Sequence, residues 1–244
     1  MTTTPVSSAV RSRKSDATFD DFAGNYDAAL EMGLQATGEH KEFFVRRRLA
    51  WLRGQLAAMT FSPHRVLDYG CGCGDSCPMF FDELPIGSYV GVDVSLASLR
   101  RAQERHAAAC REFYDVSALK QLNGFDLAYC NGVFHHIDPA HRLTALRDVF
   151  ECLRPGGLFA FWENNPWNPG TRWVMRRIPF DRDAIVLTSR EANGLLRKAG
   201  FDVLTTNYLF VFPRRLRWLR AFETVLAGVP IGGQYLVLAR RPEH

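Results

Sequence analysis

The sequence has no long apolar run and little net charge. No stretch approaches the roughly 18 apolar residues that a membrane-spanning helix needs, which argues against an integral membrane protein. The net charge is only +4, and phosphate binding needs clustered basic residues, so no nucleic-acid partner is predicted. Residues 1–18 are rich in Ser and Thr and contain no apolar core. We interpret them as a disordered tail and not a signal peptide, and we expect a cytoplasmic location.

The sequence also lacks the cysteine spacing of a disulfide framework. Of its six cysteines, Cys71, Cys73 and Cys77 crowd into one loop. They do not form the paired Cys-x-x-Cys knuckles of a zinc site. We therefore predict small, buried loop residues and no metal, with a metal or redox role as the alternative.

What the sequence does contain is a glycine-rich loop. The β-type run Val66 to Tyr69 is followed by glycines at 70, 72 and 74. Glycine accepts positive φ and lets a ligand approach the backbone. The spacing fits neither the Gly-x-Gly-x-x-Gly fingerprint nor a P-loop. Asp68 would repel a pyrophosphate but suits a cationic amine, so the loop favours a zwitterionic nucleoside.

Strand and helix patterns alternate after this loop. Asp138 and Pro139, for example, are a typical helix start, with an N-cap followed by Pro in the first turn. Such alternation predicts a doubly wound α/β fold with a parallel sheet. The predicted strands are at 66–69, 89–93, 112–115, 125–131, 158–162, 201–211 and 234–239.

Three regions lie outside the alternating part. Helical patterns at 19–30 and 41–59 predict an N-terminal helical cap over 19–60, before a cofactor-binding domain at 61–244. Insertions at 163–188 and 213–232 are predicted to supply substrate elements. The second insertion begins with a cationic, amphipathic helical stretch, which we interpret as a solvated basic face over a substrate lid or as a dimer contact. A helix at an anionic membrane surface is the alternative.

Together these features resemble the class I S-adenosylmethionine-dependent methyltransferases. The motif here is Val66-Leu-Asp-Tyr-Gly-Cys-Gly-Cys-Gly74, followed by Gly91-Val-Asp-Val94 and by Pro155-Gly-Gly157 before the fifth strand. The resemblance implies a seven-stranded, mostly parallel sheet with the last strand antiparallel. It also implies S-adenosylmethionine as the cofactor.

The resemblance places cofactor contacts at the ends of the strands. Asp68 and the loop backbone would hold the amino-acid part. Asp93 would accept hydrogen bonds from the ribose diol, and Asp115 from the adenine amino group. The full set of predicted cofactor contacts is Asp68, Gly70, Cys71, Gly72, Asp93, Val94, Asp115, Val116, Asn131 and Val133.

Methyl transfer from a sulfonium mainly needs alignment, and a base is needed only when the nucleophile arrives protonated. His135 and His136, just past the fourth strand, are candidate bases or orienting groups. Glu163, past the fifth strand, is the third catalytic candidate. The predicted substrate contacts are Tyr26, Asn164 and Trp167, for which packing or a rigid turn is the alternative.

The predicted function is S-adenosylmethionine-dependent methyl transfer to a small-molecule acceptor, on oxygen, with nitrogen or carbon as alternatives. Two other hypotheses remain open: a lipid-linked acceptor at a membrane surface, and a nucleoside-binding partner subunit without catalysis. Peripheral membrane contact and a homodimer also remain open.

Overall fold

The computed structural model describes residues 33–181 and 184–243. The predicted tail, the helix predicted at 19–30 and Tyr26 lie outside these residues. Among the described residues, no helix combines the length and the apolar character needed to cross a membrane.

Seven strands form one sheet in the order β3-β2-β1-β4-β5-β7-β6. Strand β7 is antiparallel to its neighbours β5 and β6, and the other neighbouring pairs are parallel. The predicted doubly wound fold with an antiparallel last strand is therefore confirmed. The strands are β1 (Arg65–Tyr69), β2 (Ser88–Asp93), β3 (Arg111–Asp115), β4 (Phe125–Asn131), β5 (Leu153–Asn164), β6 (Asp202–Leu209) and β7 (Gln234–Arg240).

Helices cover both faces of this sheet. Short 3-10 turns connect several elements, and a 3-10 stretch at Arg214–Phe222 directly precedes α7. The helices are α1 (Lys41–Ala58), α2 (Cys77–Glu83), α3 (Leu96–His106), α4 (Pro139–Cys152), α5 (Pro169–Met175), α6 (Ser189–Ala199) and α7 (Glu223–Leu226).

The two sheet faces bury separate hydrophobic clusters. Successive side chains on a strand point to opposite faces. On β5, Phe161 accordingly packs in the cluster under α4 and α6, and Trp162 in the cluster that includes α1 and α2. Both side chains are at most 1% exposed. Leu49 and Leu52 of α1 are also fully buried in the second cluster, so this helix is part of the core.

Helix α6 is capped by Thr188, because Thr188 and Glu191 form a reciprocal capping box. Two details differ from the sequence interpretation. Strand β5 already includes the predicted preceding loop, since its pairing with β4 begins at Leu153. The helix expected from residue 213 onward is mostly a 3-10 stretch, and Leu216 there has non-helical dihedrals, φ −110° and ψ 25°.

Candidate active site

The glycine loop follows β1, which lies between β2 and β4 in the sheet. In such sheets, ligands bind where the strand order reverses, outside the carboxyl ends of the strands. Gly70 has φ 79° and Gly72 φ 54°. A Cβ at Gly70 would collide with Val133, whereas a Cβ at Gly72 would meet no atom within 4 Å. The loop is therefore tightly packed at its first glycine and open to a ligand at its second.

Two of the predicted strand-end acids lie side by side. Asp93 of β2 and Asp115 of β3 are partners in the pairing register. Asp93 Oδ2 accepts from Gly72 N–H at 2.8 Å, and its Oδ1 accepts from Ser95 N–H at 2.9 Å. Asp115 Oδ1 accepts from Ser117 N–H at 3.0 Å. Backbone donors thus orient both carboxylates at one edge of the sheet, beside the open glycine.

Asp68 is a buried acid beneath the loop, only 3% exposed. Its Oδ2 accepts hydrogen bonds from Tyr89 OH at 2.6 Å and from Ser76 Oγ at 3.0 Å. Burial raises the pKa of Asp68 to about 6, against the opposing effect of these hydrogen bonds. A carboxyl group held in this way gains from a cationic ligand, because the cation stabilises its ionised form. The site therefore favours a cationic group.

The other predicted cofactor residues differ in exposure. Cys71 is 8% exposed, and burial raises the pKa of its thiol well above the usual range. Val116 is buried in the core, while Val94 and Val133 pack against that core and are partly buried. Asn131, at the end of β4, lines a cavity.

That cavity has a volume of about 370 Å³. It lies beyond the carboxyl ends of β4 and β5, between α1 and the two predicted insertions. Polar lining groups include Asn131, Asn164, Thr171 and Gln234, with Gln234 Nε2 donating to Asn164 Oδ1 at 3.1 Å. The aromatic and aliphatic lining includes Phe43, Phe44, Trp173, Met175, Phe180, Phe210 and Phe212. Such a mostly apolar cavity with a few convergent polar groups is typical of a site for an organic ligand.

A chain of histidines and carboxylates borders this cavity. Glu163, fully buried, has Oε2 at 2.6 Å from His135 Nδ1, and its Oε1 accepts from Phe134 N–H at 2.7 Å. On the other side, Asp181 Oδ1 is 3.5 Å from His135 Nε2 and 3.2 Å from His136 Nε2. The structure therefore brings the three catalytic candidates together and adds Asp181, which the sequence analysis did not identify.

The two histidines have opposite electrostatic environments. Burial alone would lower the pKa of His135, but Glu163 and Asp181 overcome this effect and raise it to about 10. Burial lowers the pKa of His136, and the neighbouring His135 lowers it further. At neutral pH we therefore expect a cationic His135 held between two carboxylates and a neutral His136. Only a neutral imidazole can accept a proton, so His136 is the candidate base.

The same cluster meets one requirement of a metal site. Donor atoms of His135, His136 and Asp181 all lie within 4.8 Å of one another. Two imidazoles and a carboxylate are ligands that zinc and other transition metals accept. A test of catalysis here therefore needs a chelator control.

Arg48 of α1 is a second residue that the sequence analysis missed. It lines the cavity and is 6% exposed. Its Nε donates to Tyr129 OH at 3.0 Å, and its Nη1 donates to Gln234 Oε1 at 2.9 Å. Both partners are neutral, since burial raises the pKa of Tyr129 to about 12. The available sequence signal was an arginine on the apolar face of α1, beside Leu49 and Leu52.

The predicted substrate residues differ in whether they line the cavity. Asn164 lines the cavity. Trp167 does not belong to its lining and is 72% exposed, so it does not form a wall of this cavity. Trp173, from the same insertion, lines the cavity instead. Tyr26 lies outside the described residues. Glu163 lies behind His135 and does not belong to the cavity lining.

Part of this chain matches a family of known proteins. A family model described as a methyltransferase domain matches residues 67–159. Trans-aconitate 2-methyltransferase of Variovorax paradoxus (strain S110) is 33% identical over 115 residues, or 47% of this chain and 44% of that protein. The mRNA cap guanine-N(7) methyltransferase of Caenorhabditis elegans is 25% identical over 166 residues, or 57% of this chain and 43% of that protein. The chain spans about half the length of the curated relatives it matches.

Solved structures share the fold at low sequence identity. N-methyltransferase NodS from Bradyrhizobium japonicum WM9, in complex with S-adenosyl-l-homocysteine, has a TM-score of 0.62 and 15% identity, covering 94% of this chain and 99% of that chain. The [4+2]-cyclase SpnF has a TM-score of 0.57 and 21% identity, covering 80% of this chain and 81% of that chain. These similarities establish the fold. The residues matched by the family model include Asp68, Asp93 and Asp115.

Proposed function

We propose that this chain, which carries the domain of the class I S-adenosylmethionine-dependent methyltransferases, transfers a methyl group to an oxygen atom of a small-molecule acceptor bound in the cavity. The observation that carries the proposal is the position of the cavity. Asn131 and Gly132, which directly follow β4, line it. The family resemblance places the methionine part of the cofactor at this point, so an acceptor in the cavity would face the transferred methyl group.

S-adenosylmethionine is the cofactor of such a domain, and when bound it supplies a methyl group activated by a sulfonium. Asp68 fits its ammonium group, because a buried carboxyl with a raised pKa favours a cationic partner. The open backbone at Gly72 and the oriented carboxylate of Asp93 suit the ribose side. Asp115, in register with Asp93, suits the adenine amino group.

His136 would take the proton from the acceptor hydroxyl. It lines the cavity, and its lowered pKa keeps the imidazole neutral at neutral pH. In the tautomer that donates Nε2–H to Asp181, Nδ1 is the basic nitrogen. Glu163 and the cationic His135 hold Asp181 and its segment in place. General-base assistance of this kind contributes about 10²- to 10⁴-fold.

Oxygen is preferred over other acceptor atoms because a base is placed at the cavity. The names of the relatives do not decide the atom, since one refers to trans-aconitate and another to N7 of guanine. The structural neighbour named as a cyclase is a reminder that this fold also supports other reactions. The proposal therefore depends on this chain's own residues.

Calorimetric titration with S-adenosylhomocysteine tests the cofactor site first. Asp93→Ala should weaken binding at least tenfold, because one carboxylate that accepts from the ribose is lost. Glu104→Ala, an exposed acid on α3, is the matched control and should bind as the wild type does. Unchanged affinity of Asp93→Ala would contradict the assigned cofactor site.

Turnover is tested by S-adenosylhomocysteine release with panels of hydroxyl, carboxyl and amine acceptors, with and without a chelator. Methylation of a hydroxyl oxygen that resists the chelator is expected. Transfer only to amines would refute the oxygen assignment. Activity abolished by the chelator would assign the histidine cluster to a metal. Cofactor binding without transfer to any acceptor class would favour the partner-subunit hypothesis.

A further inference from the structure

The segments that frame the cavity also expose large apolar side chains to solvent. Trp167 is 72% exposed, Trp218 70%, Phe222 57% and Val225 81%. Single exposed apolar residues are ordinary, but a group of them marks an interaction site.

Hydrogen bonds join the two insertions into one surface. Asn165 Nδ2 donates to Gly232 O at 2.8 Å, and Asn168 Nδ2 donates to Ile231 O at 2.7 Å. These bonds place the turn that carries Trp167 against the turn that carries Ile231, itself 44% exposed. The two insertions therefore form one region, joined at these turns.

This region is strongly basic. No Asp or Glu occurs in residues 166–180 or in residues 203–222. Arg220 pairs with Glu39 at 2.9 Å, and the Arg177 guanidinium lies 3.6 Å from the centre of the Trp173 ring. The two stretches contain seven arginines: Arg172, Arg176, Arg177, Arg214, Arg215, Arg217 and Arg220. We call these arginines, with Trp167, Trp218, Phe222 and Val225, the basic rim.

The basic rim lies on the same stretches that supply part of the cavity lining. Trp173, Val174 and Met175 line it from the first stretch, and Phe212 and Pro213 line it from the second. A surface that binds to the rim therefore contacts the segments that form part of the cavity wall.

We propose that the basic rim docks on an anionic lipid bilayer, from which an amphiphilic acceptor enters the cavity. Arginines attract anionic headgroups, while Trp and Phe side chains insert at the level of the headgroups. No described helix can cross a membrane, so the contact is peripheral. The docking stands on the rim alone, whereas its role in acceptor delivery rests on the proposed function.

Charge favours a bilayer over a second copy of the chain. In a twofold-symmetric dimer the same patch meets itself. Two basic rims would then face each other with like charges, which is unfavourable. An anionic surface provides the complementary charge for the six exposed arginines of the rim, whereas Arg220 is already paired with Glu39.

Co-sedimentation with vesicles tests the docking. The full chain should bind vesicles that contain phosphatidylglycerol at low salt, and bind vesicles of phosphatidylcholine alone weakly. Arg172→Gln, Arg215→Gln and Arg217→Gln together should lower partitioning onto the anionic vesicles by roughly 100-fold. The control triple Arg147→Gln, Arg190→Gln and Arg197→Gln removes the same charge from exposed positions on α4 and α6 and should change partitioning far less. Equal losses in the two triples would overturn the proposal.

Trp218→Ser and Phe222→Ser test the apolar contribution. Both residues are exposed, so the variants should fold and bind S-adenosylhomocysteine normally while partitioning at least tenfold less onto the same vesicles. Unchanged partitioning, or a lipid-free dimer that these substitutions dissociate, would overturn bilayer docking. Vesicle binding without S-adenosylhomocysteine binding would instead refute the proposed function and leave the docking in place.

Discussion

Asp68 should make cofactor binding weaken as the pH falls through about 6. Burial raises its pKa to about 6, so the carboxyl is ionised above this pH and protonated below it. The ammonium of S-adenosylhomocysteine requires the ionised form. Affinity should therefore be complete above this range and fall about tenfold for each pH unit below it. At a pH of about 5 the dissociation constant should be about tenfold larger than at neutral pH.

Asp68→Asn removes the charge and keeps a hydrogen-bond acceptor for Tyr89 and Ser76. The variant should bind S-adenosylhomocysteine about 10- to 100-fold more weakly at neutral pH, because a charge-assisted hydrogen bond is lost. Its affinity should no longer depend on pH in this range.

The same substitution should stabilise the protein without cofactor. A raised pKa means that folding disfavours the ionised carboxyl, so at neutral pH the ionised group lowers the free energy of unfolding. This destabilisation decreases as the pH falls through about 6 and is lost below the unfolded-state pKa near 4. The difference of about two units corresponds to at most about 3 kcal/mol. Asp68→Asn should therefore unfold at a higher temperature than the wild type at neutral pH.

Calorimetric titration across the pH range and thermal unfolding of the free protein measure both effects. Asp148→Asn is a matched control, because burial also raises the pKa of Asp148, but that residue lies on helix α4 and not on β1 before the glycine loop. The control should keep the wild-type pH dependence of binding. A wild-type affinity that is constant down to a pH of about 5, or an Asp68→Asn variant that keeps the slope, would refute the reasoning.

Two further substitutions test the base and the loop. His136→Gln should lower the turnover rate by about 10²- to 10⁴-fold and flatten its pH profile near neutrality, with S-adenosylhomocysteine affinity unchanged; wild-type turnover would exclude His136 as the base. Gly70→Ala should destabilise the protein by at least about 1 kcal/mol in urea denaturation, because φ is 79° and the methyl group would collide with Val133. Gly54→Ala in α1, where a Cβ meets no atom within 4 Å, should instead stabilise it by about 0.5–1 kcal/mol; equal effects of the two alanines would contradict this account of the loop.

The sequence predicted well what depends on local pattern and on sheet geometry. Alternating strand and helix signals predicted all seven strands and the doubly wound sheet. Asp93 and Asp115 each end a strand, and parallel neighbouring strands end at one edge, so the proximity of these residues followed directly. His135, His136 and Glu163 lie together for the same reason, because β4 and β5 are neighbours.

The parts that sequence reasoning missed depend on long-range contacts or on loop direction. Asp181 reaches His135 from an insertion whose path has no periodic pattern. Arg48 is charged on an otherwise apolar helix face, and only its contacts with Tyr129 and Gln234 explain that position. Trp167 was expected to point inward, but a turn of Asn and Pro residues does not fix the direction of a side chain.

Helix α1 contacts both the sheet and the segment after the glycine loop, and these contacts limit where the protein can be truncated. Leu49 and Leu52 are fully buried against the sheet, while Lys41 in the first turn pairs with Asp75 beyond the glycine loop at 3.0 Å. A truncation at the boundary predicted near residue 60 would expose Trp162 and its cluster to water and remove Arg48 from the cavity wall. Residues 41–58 should therefore be transferred together with the sheet in any chimera or minimal expression fragment. Exchanging this helix between homologous proteins would change acceptor preference and folding at the same time.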